Sequence, residues 1–127
     1  MSEPQTTGSL DFQALRHAIE ERDAEALASL YAEDAELHRV NRYDTPSSPR
    51  VLSGKEEIAE YLRDVFGRDM THRVQDEVIG EERIAFQEAC EYPDGTRVLA
   101  AMSLDVRDGK ITRHVNVEAW DETEEEG

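Results

Sequence analysis

The spacing of apolar residues changes once along this chain, and the change divides it into two kinds of structure. Up to residue 66 they recur mainly at helical spacing, and from residue 71 they alternate. Residues 10–21 set Phe12, Leu15, Ala18 and Ile19 on one side of a helix, with Asp11 as a first-turn acid. Asp23 has the character of an N-cap for a second, short helix that buries Ala26, Leu27, Leu30 and Tyr31. Residues 35–41 read as a strand leaving that helix. Residues 43–52, with Asp44, Pro46, Ser47, Ser48 and Pro49, read as an exposed loop. Ser53 and Glu56 make a capping-box pair that opens a third helix. That helix turns Ile58, Tyr61, Leu62, Val65 and Phe66 inward and stops at Gly67.

Alternation then predicts strands over residues 71–79, 83–92, 96–107 and 110–120. Gly80, Pro93-Asp94-Gly95 and Asp108-Gly109 separate them, and Asp-Gly is a strong tight-hairpin signal. The order predicts an α+β layout in which a long antiparallel meander curves around three helices. A chain of 127 residues suits one domain with its own core, expected over residues 10–120. Residues 1–9 and the acidic tail 121–127 are expected to be disordered.

The last predicted strand carries the most information. One face shows Arg113, Val115, Val117 and Ala119; the other shows His114, Asn116, Glu118 and Trp120. If the second face lines a cavity, a titratable pair and an amide stand where a small ligand binds. If it faces water, it is an ordinary polar surface.

Composition narrows the partners. The net charge is −16, from 30 acidic and 14 basic residues, a poor match to phosphate backbones or anionic lipid. No nucleic-acid or membrane partner is expected. Twelve basic residues are Arg and two are Lys, a balance that suits a salty interior and equally a biased codon supply. Cys90 stands alone, so no disulfide framework is expected and the thiol reads as buried and inert. The start lacks the basic and apolar pattern of a signal peptide, and no apolar run has the length of a membrane span. The chain reads as soluble and cytoplasmic.

Three groups of residues resemble the nuclear transport factor 2-like superfamily, in its branch of SnoaL-like polyketide cyclases and ketosteroid isomerases. They are the run from Arg22 to Leu37, the Ser53-to-Ile58 opening of the third helix, and the Asp108-to-Arg113 entry to the final strand. The resemblance implies a cone-shaped α+β barrel, with three N-terminal helices packed in a strongly curved, mostly antiparallel sheet. It implies a pocket at the wide end and a homodimer through the outer sheet face. It also places His114, Asn116 and Glu118, with Ile84, Phe86, Glu88 and Cys90, on the concave side, joined by Leu37, Arg39 and Asn41. Val115, Val117 and the Val98/Ala100/Met102 row would then form the covered convex side. Leu15 falls at the isomerase's oxyanion-hole tyrosine, Arg39 at its aspartate base and Ser103 near its protonated aspartate. Steroid isomerisation by that mechanism is therefore disfavoured. Asp121, after Trp120, falls near a late acidic residue of cyclase-like members.

The chemistry expected of such a pocket follows from its polar residues. Glu88 between Phe86 and Cys90 would need a partner in an apolar setting, and Arg39 is the chosen one. His114 and Glu118, roughly 13 Å apart by strand rise, would bracket a ligand with Asn116 between them. His114 or Glu88 would serve as acid or base, while Asn116 and Arg39 stabilise negative charge. Glu118, Asn41, Phe86, Tyr31, Tyr61, Ser103 and Trp120 complete the expected ligand contacts. His17, His38 and His72 show no metal-ligand spacing, so neither metal nor cofactor is expected. The expected function is a small-molecule pocket protein, an isomerase, cyclase or hydrolase that moves a proton on a small hydrophobic substrate. The alternative is a non-catalytic binding or dimerisation module of the same fold.

Overall fold

The computed structural model describes residues 9–122, so the expected N-terminal extension up to residue 8 and the tail beyond residue 122 lie outside the described residues. Helices α1 (Phe12–Glu20) and α2 (Ala24–Ala28) are followed by β1 (Tyr31–Val40), β2 (Arg50–Ser53) and α3 (Lys55–Phe66). Strands β3 (Thr71–Ile79), β4 (Arg83–Glu91), β5 (Arg97–Arg107) and β6 (Lys110–Trp120) complete the chain. The architecture is α+β: one six-stranded sheet, ordered β2-β1-β6-β5-β4-β3, holds the three helices against its concave face. Every neighbouring pair is antiparallel except β1 and β6, whose parallel pairing brings the first long strand beside the last. Among the described residues, no helix is long and apolar enough to cross a membrane.

The helix ends follow local chemistry. Asp11 is the N-cap of α1 rather than a first-turn acid, and its carboxylate accepts from the Ala14 N–H at 3.1 Å. Asp23 caps α2 in the same way, accepting from Ala26 at 3.0 Å. At α3 the expected reciprocal pair of Ser53 and Glu56 does not form. Gly54, at φ 93°, is the N-cap, and the Ser53 N–H is accepted by Glu57 at 2.8 Å. The left-handed turn at Gly54 brings the Glu57 side chain, not Glu56, back over the strand.

Tyr31 differs from its expected place on α2. Ser29 closes that helix, its hydroxyl donating to the Ala26 carbonyl at 2.6 Å, and the Ile111 N–H takes the Leu30 carbonyl at 2.8 Å. Tyr31 therefore opens β1, four residues earlier than the sequence implied. Tyr31 and Ala35 are both buried, and the β1–β6 register is irregular between Tyr31 and Glu36. Tyr31 follows Leu27 by four residues, which is why it reads as part of the helical face. The loop expected at residues 43–52 is shortened at its end by β2, an edge strand whose Leu52 pairs with Leu37.

The face assigned to β5 is reversed. Val98, Ala100 and Met102 are the cross-strand partners of Cys90, Glu88 and Phe86, and cross-strand partners share a face. All three lie in the concave core, with Leu104 and Val106 continuing the row. Leu99, Ala101 and Ser103 face outward instead, beside Ala119, Val117 and Val115 of β6.

Loss of the Glu57 contact gives a direct test of the shifted cap. Glu57→Ala is expected to cost about 0.5–1.5 kcal/mol, and Glu56→Ala less than half of that. Chemical denaturation of the two variants beside the parent measures both.

Candidate functional site

Curvature turns the concave face into a cavity of about 480 Å³, open at one end. A volume of this size suits a small organic ligand. Leu15, Ile19 and Leu27 from the helices and Phe86, Ala100 and Leu104 from the sheet form its apolar wall. The sheet register arranges the polar lining in rows. Glu88, Ala100 and Glu118 form one row; Phe86, Met102, Asn116 and Arg39 form the next; Ile84, Leu104, His114 and Leu37 form the third.

Glu118 organises the end nearest the mouth. Its carboxylate accepts from Asn41 Nδ2 at 3.1 Å, Asn116 Nδ2 at 3.2 Å and Trp120 Nε1 at 3.2 Å. Because Nδ2 alone can donate to Glu118, the Asn116 amide orientation is fixed, and its Oδ1 is left buried without a partner. Arg39 donates through Nη2 to Asp44 at 2.6 Å, and its guanidinium lies 5.7 Å from the centre of the Tyr61 ring. Its Nε–H is likewise buried and unpartnered. An acceptor and a donor thus stand idle on neighbouring strands, Arg39 and Asn116 being register partners. Burial, then the Glu118 charge, raises the pKa of Tyr61, so it stays a neutral phenol. The aromatics Tyr43, Tyr92 and Trp120 stand around the mouth.

Two further groups are more completely buried. Glu88, only 7% exposed, receives His72 Nδ1 on Oε2 at 2.6 Å, and the Cys90 thiol approaches the same oxygen at 3.5 Å. The Arg39–Glu88 pair expected from the sequence therefore does not form. Arg39 is taken by Asp44 on its own hairpin, while Glu88 is answered across the β3–β4 ladder. On the third row, Tyr31 Oη lies 2.7 Å from His114 Nδ1, and His114 Nε2 lies 3.1 Å from Met102 Sδ. Burial is the chief cause that raises the Tyr31 hydroxyl well above the ordinary phenol, with the Glu88 charge second. The Met102 sulfur can only accept, so the tautomer that satisfies both contacts carries its proton on Nε2, with the Tyr31 O–H donating to Nδ1.

The SnoaL-like domain model matches residues 12–114. The chain belongs to this family. No curated protein sequence matches it. The fold is similar to that of a ketosteroid isomerase candidate from Kribbella flavida DSM 17836, at 19% identity over 88% of this chain and 76% of that one, TM-score 0.71. It is also similar to an NTF2-like protein of unknown function from Mesorhizobium loti, at 14% identity over 85% and 87% of the two chains, TM-score 0.73. A de novo designed protein with a curved β-sheet matches at 15% identity over 85% and 84%, TM-score 0.69. At these identities the likeness is one of fold.

Within this SnoaL-like domain, Tyr31, Arg39, Asn41, Tyr61, Phe86, Glu88, His114, Asn116, Glu118 and Trp120 all line the one cavity. Ser103 does not: it pairs with Ala85 and Val115 on the outer face, and Met102 takes the inward position beside it. The sequence reading missed His72 as Glu88's partner and Asp44 as Arg39's. The alternation of His72 with Val74 could have marked its inward face, while its place beside Glu88 comes from the β3–β4 register. Asp44 had no such signal, since its position depends on an Asn41 side chain that accepts from the Tyr43 and Asp44 N–H groups at 2.9 and 2.8 Å.

Burial lowers the His114 pKa to about 4, so the ring is neutral near pH 7. The unfolded chain binds a proton there near pH 6.5 while the native state refuses it. Stability from this group is thus complete above pH 6.5 and is lost as pH falls toward 4. The full effect is on the order of 3 kcal/mol. Thermal melts between pH 7 and pH 5 are expected to show a steeper loss for the parent than for His114→Gln.

Proposed function

We propose that this SnoaL-like domain is an acid–base enzyme of the isomerase kind, acting on a small hydrophobic molecule that carries an enolisable carbonyl. The observation that carries this reading is Glu88, a carboxylate 7% exposed in an apolar cavity, with both of its side-chain contacts on Oε2. Oε1 carries no hydrogen bond among the described residues and is the atom assigned to take a proton from carbon. His114 acts as a neutral donor rather than as the base, because Tyr31 occupies the lone pair of Nδ1. Its Nε2–H rests against the flexible thioether of Met102, a weak acceptor that a substrate carbonyl can displace. A neutral imidazole aimed at a developing oxyanion stabilises the transition state without first giving up a proton.

The idle Arg39 Nε–H and Asn116 Oδ1 suit a second polar group on the substrate, one that both accepts and donates, such as a hydroxyl. Leaving both unmatched costs about 1–3 kcal/mol each, so a ligand that answers them gains affinity and orientation. Retention without turnover is the rival reading. It is favoured by Glu118, whose three donors leave it no catalytic freedom.

Deuterium incorporation into a panel of apolar cyclic ketones and enones in heavy water separates the two. The parent is expected to exchange the α-carbon faster than buffer, and Glu88→Gln to lose about 10²–10⁴ of that rate. Ketones retained in native mass spectra without any exchange would favour the binding module.

The outer face supports a homodimer. Leu99 and Val117 are 44% and 46% exposed on adjoining strands, with Ala101 and Ala119 beside them. A charge in this patch should keep the copies apart. Light scattering is expected to give a dimer for the parent and a monomer for Val117→Arg.

A further inference from the structure

His72, Glu88 and Cys90 form a group that the acid–base reading uses only in part. His72 and Cys90 are cross-strand partners on β3 and β4, and Glu88 stands two residues from Cys90 on the same face. They are 6%, 7% and 8% exposed. Nδ1 lies 2.6 Å from Oε2, Sγ lies 3.3 Å from Nδ1, and Sγ lies 3.5 Å from Oε2. An imidazole nitrogen, a carboxylate oxygen and a sulfur therefore converge from two rigid strands.

Their triangle is close to that of a metal centre. Tetrahedral zinc, with bonds of about 2.0–2.3 Å, sets such ligand atoms roughly 3.3–3.6 Å apart. The two edges at sulfur are already of that length. The third must open by roughly 0.7 Å, the difference between a hydrogen bond and two ligands of one ion. We propose that His72 Nδ1, Glu88 Oε2 and Cys90 Sγ bind a borderline-soft divalent cation, zinc before the others, with a fourth position open to the cavity. Thiolate and imidazole together select against magnesium and calcium, which prefer all-oxygen shells.

The surroundings supply what the site needs. Glu88 and Cys90 line the main cavity, while His72 and Cys90 also line a second, more open depression with Val98 and Trp120. The main cavity gives an ion its route to Glu88 and Cys90. The net charge of −16 favours cations over anions around the whole molecule. His72 Nε2 is buried with no partner, so the ring proton can move to it when the metal takes Nδ1. The thiol proton leaves to solvent, and the metal binds the thiolate. Coordination also occupies the Glu88 carboxylate, so the loaded protein is expected to lose base catalysis.

Cobalt titration of the metal-free full chain, followed by competition with zinc, is the test. One equivalent of cobalt is expected to give a cobalt–thiolate charge-transfer band, and zinc to remove it. Cys90→Ser is expected to abolish the band, and His72→Gln to weaken zinc binding by about 10–100-fold, each with parental circular dichroism. Absence of a band together with absence of zinc binding overturns the inference. So does zinc affinity unchanged in both variants, which would place the ion on surface carboxylates. None of these readouts involves turnover, so failure here leaves Glu88 free to be the base, and failure of ketone exchange leaves the metal site standing.

Discussion

One face of a curved sheet has been withdrawn from water without being made apolar, and the structure is organised by the partners this demands. A buried polar group left alone costs about 1–3 kcal/mol, more if charged. Glu118 is answered by three donors from Asn41, Asn116 and Trp120, Glu88 by His72 and Cys90, and His114 by Tyr31 and Met102. The exceptions at the cavity wall, Asn116 Oδ1 and Arg39 Nε, are therefore informative. They mark where the cavity wall leaves an acceptor and a donor unmatched.

Much of this was legible in the sequence wherever one face of an element was apolar and the other was not. The final strand alternates cleanly, so His114 and Asn116 could be assigned to a face opposite Val115 and Val117. Strand β5 offered no such contrast, because Val98, Ala100 and Met102 alternate with Leu99 and Ala101. Its parity is set by pairing with β4, which the sequence does not display. Tyr31 was misplaced because it follows Leu27 by four residues, as on one face of a helix, although α2 has already ended at Ala28. The His72–Glu88 contact is a diagonal across two strands, visible only once their register is known.

Family membership accounts for the architecture and stops there, since one fold carries many chemistries. What distinguishes this chain is the electrostatic state of its deep groups. Burial first, and the Glu88 charge second, raises the thiol of Cys90 and the hydroxyl of Tyr31, so both keep their protons. Burial alone drives His114 the other way, to a neutral ring. Glu88 thus has a thiol that keeps its proton beside it and a neutral imidazole on the same cavity wall. The arrangement is suited to a carboxylate that accepts a proton while a neutral donor supports a developing oxyanion.

The same arrangement explains how one carboxylate can be suited to two occupants. With protons on His72 and Cys90, the triad is a hydrogen-bonded cluster that holds Oε2 and leaves Oε1 for chemistry. With those ligand atoms stripped of protons, the same three atoms carry the charge and lone pairs that a divalent cation requires. The choice between the two states turns on the thiol of Cys90, which burial keeps protonated until a cation is present to replace the proton. A cluster that reads from the sequence as an inert cysteine and a remote histidine is, in the folded chain, three convergent side chains for which the proposed proton chemistry and the proposed metal binding would compete.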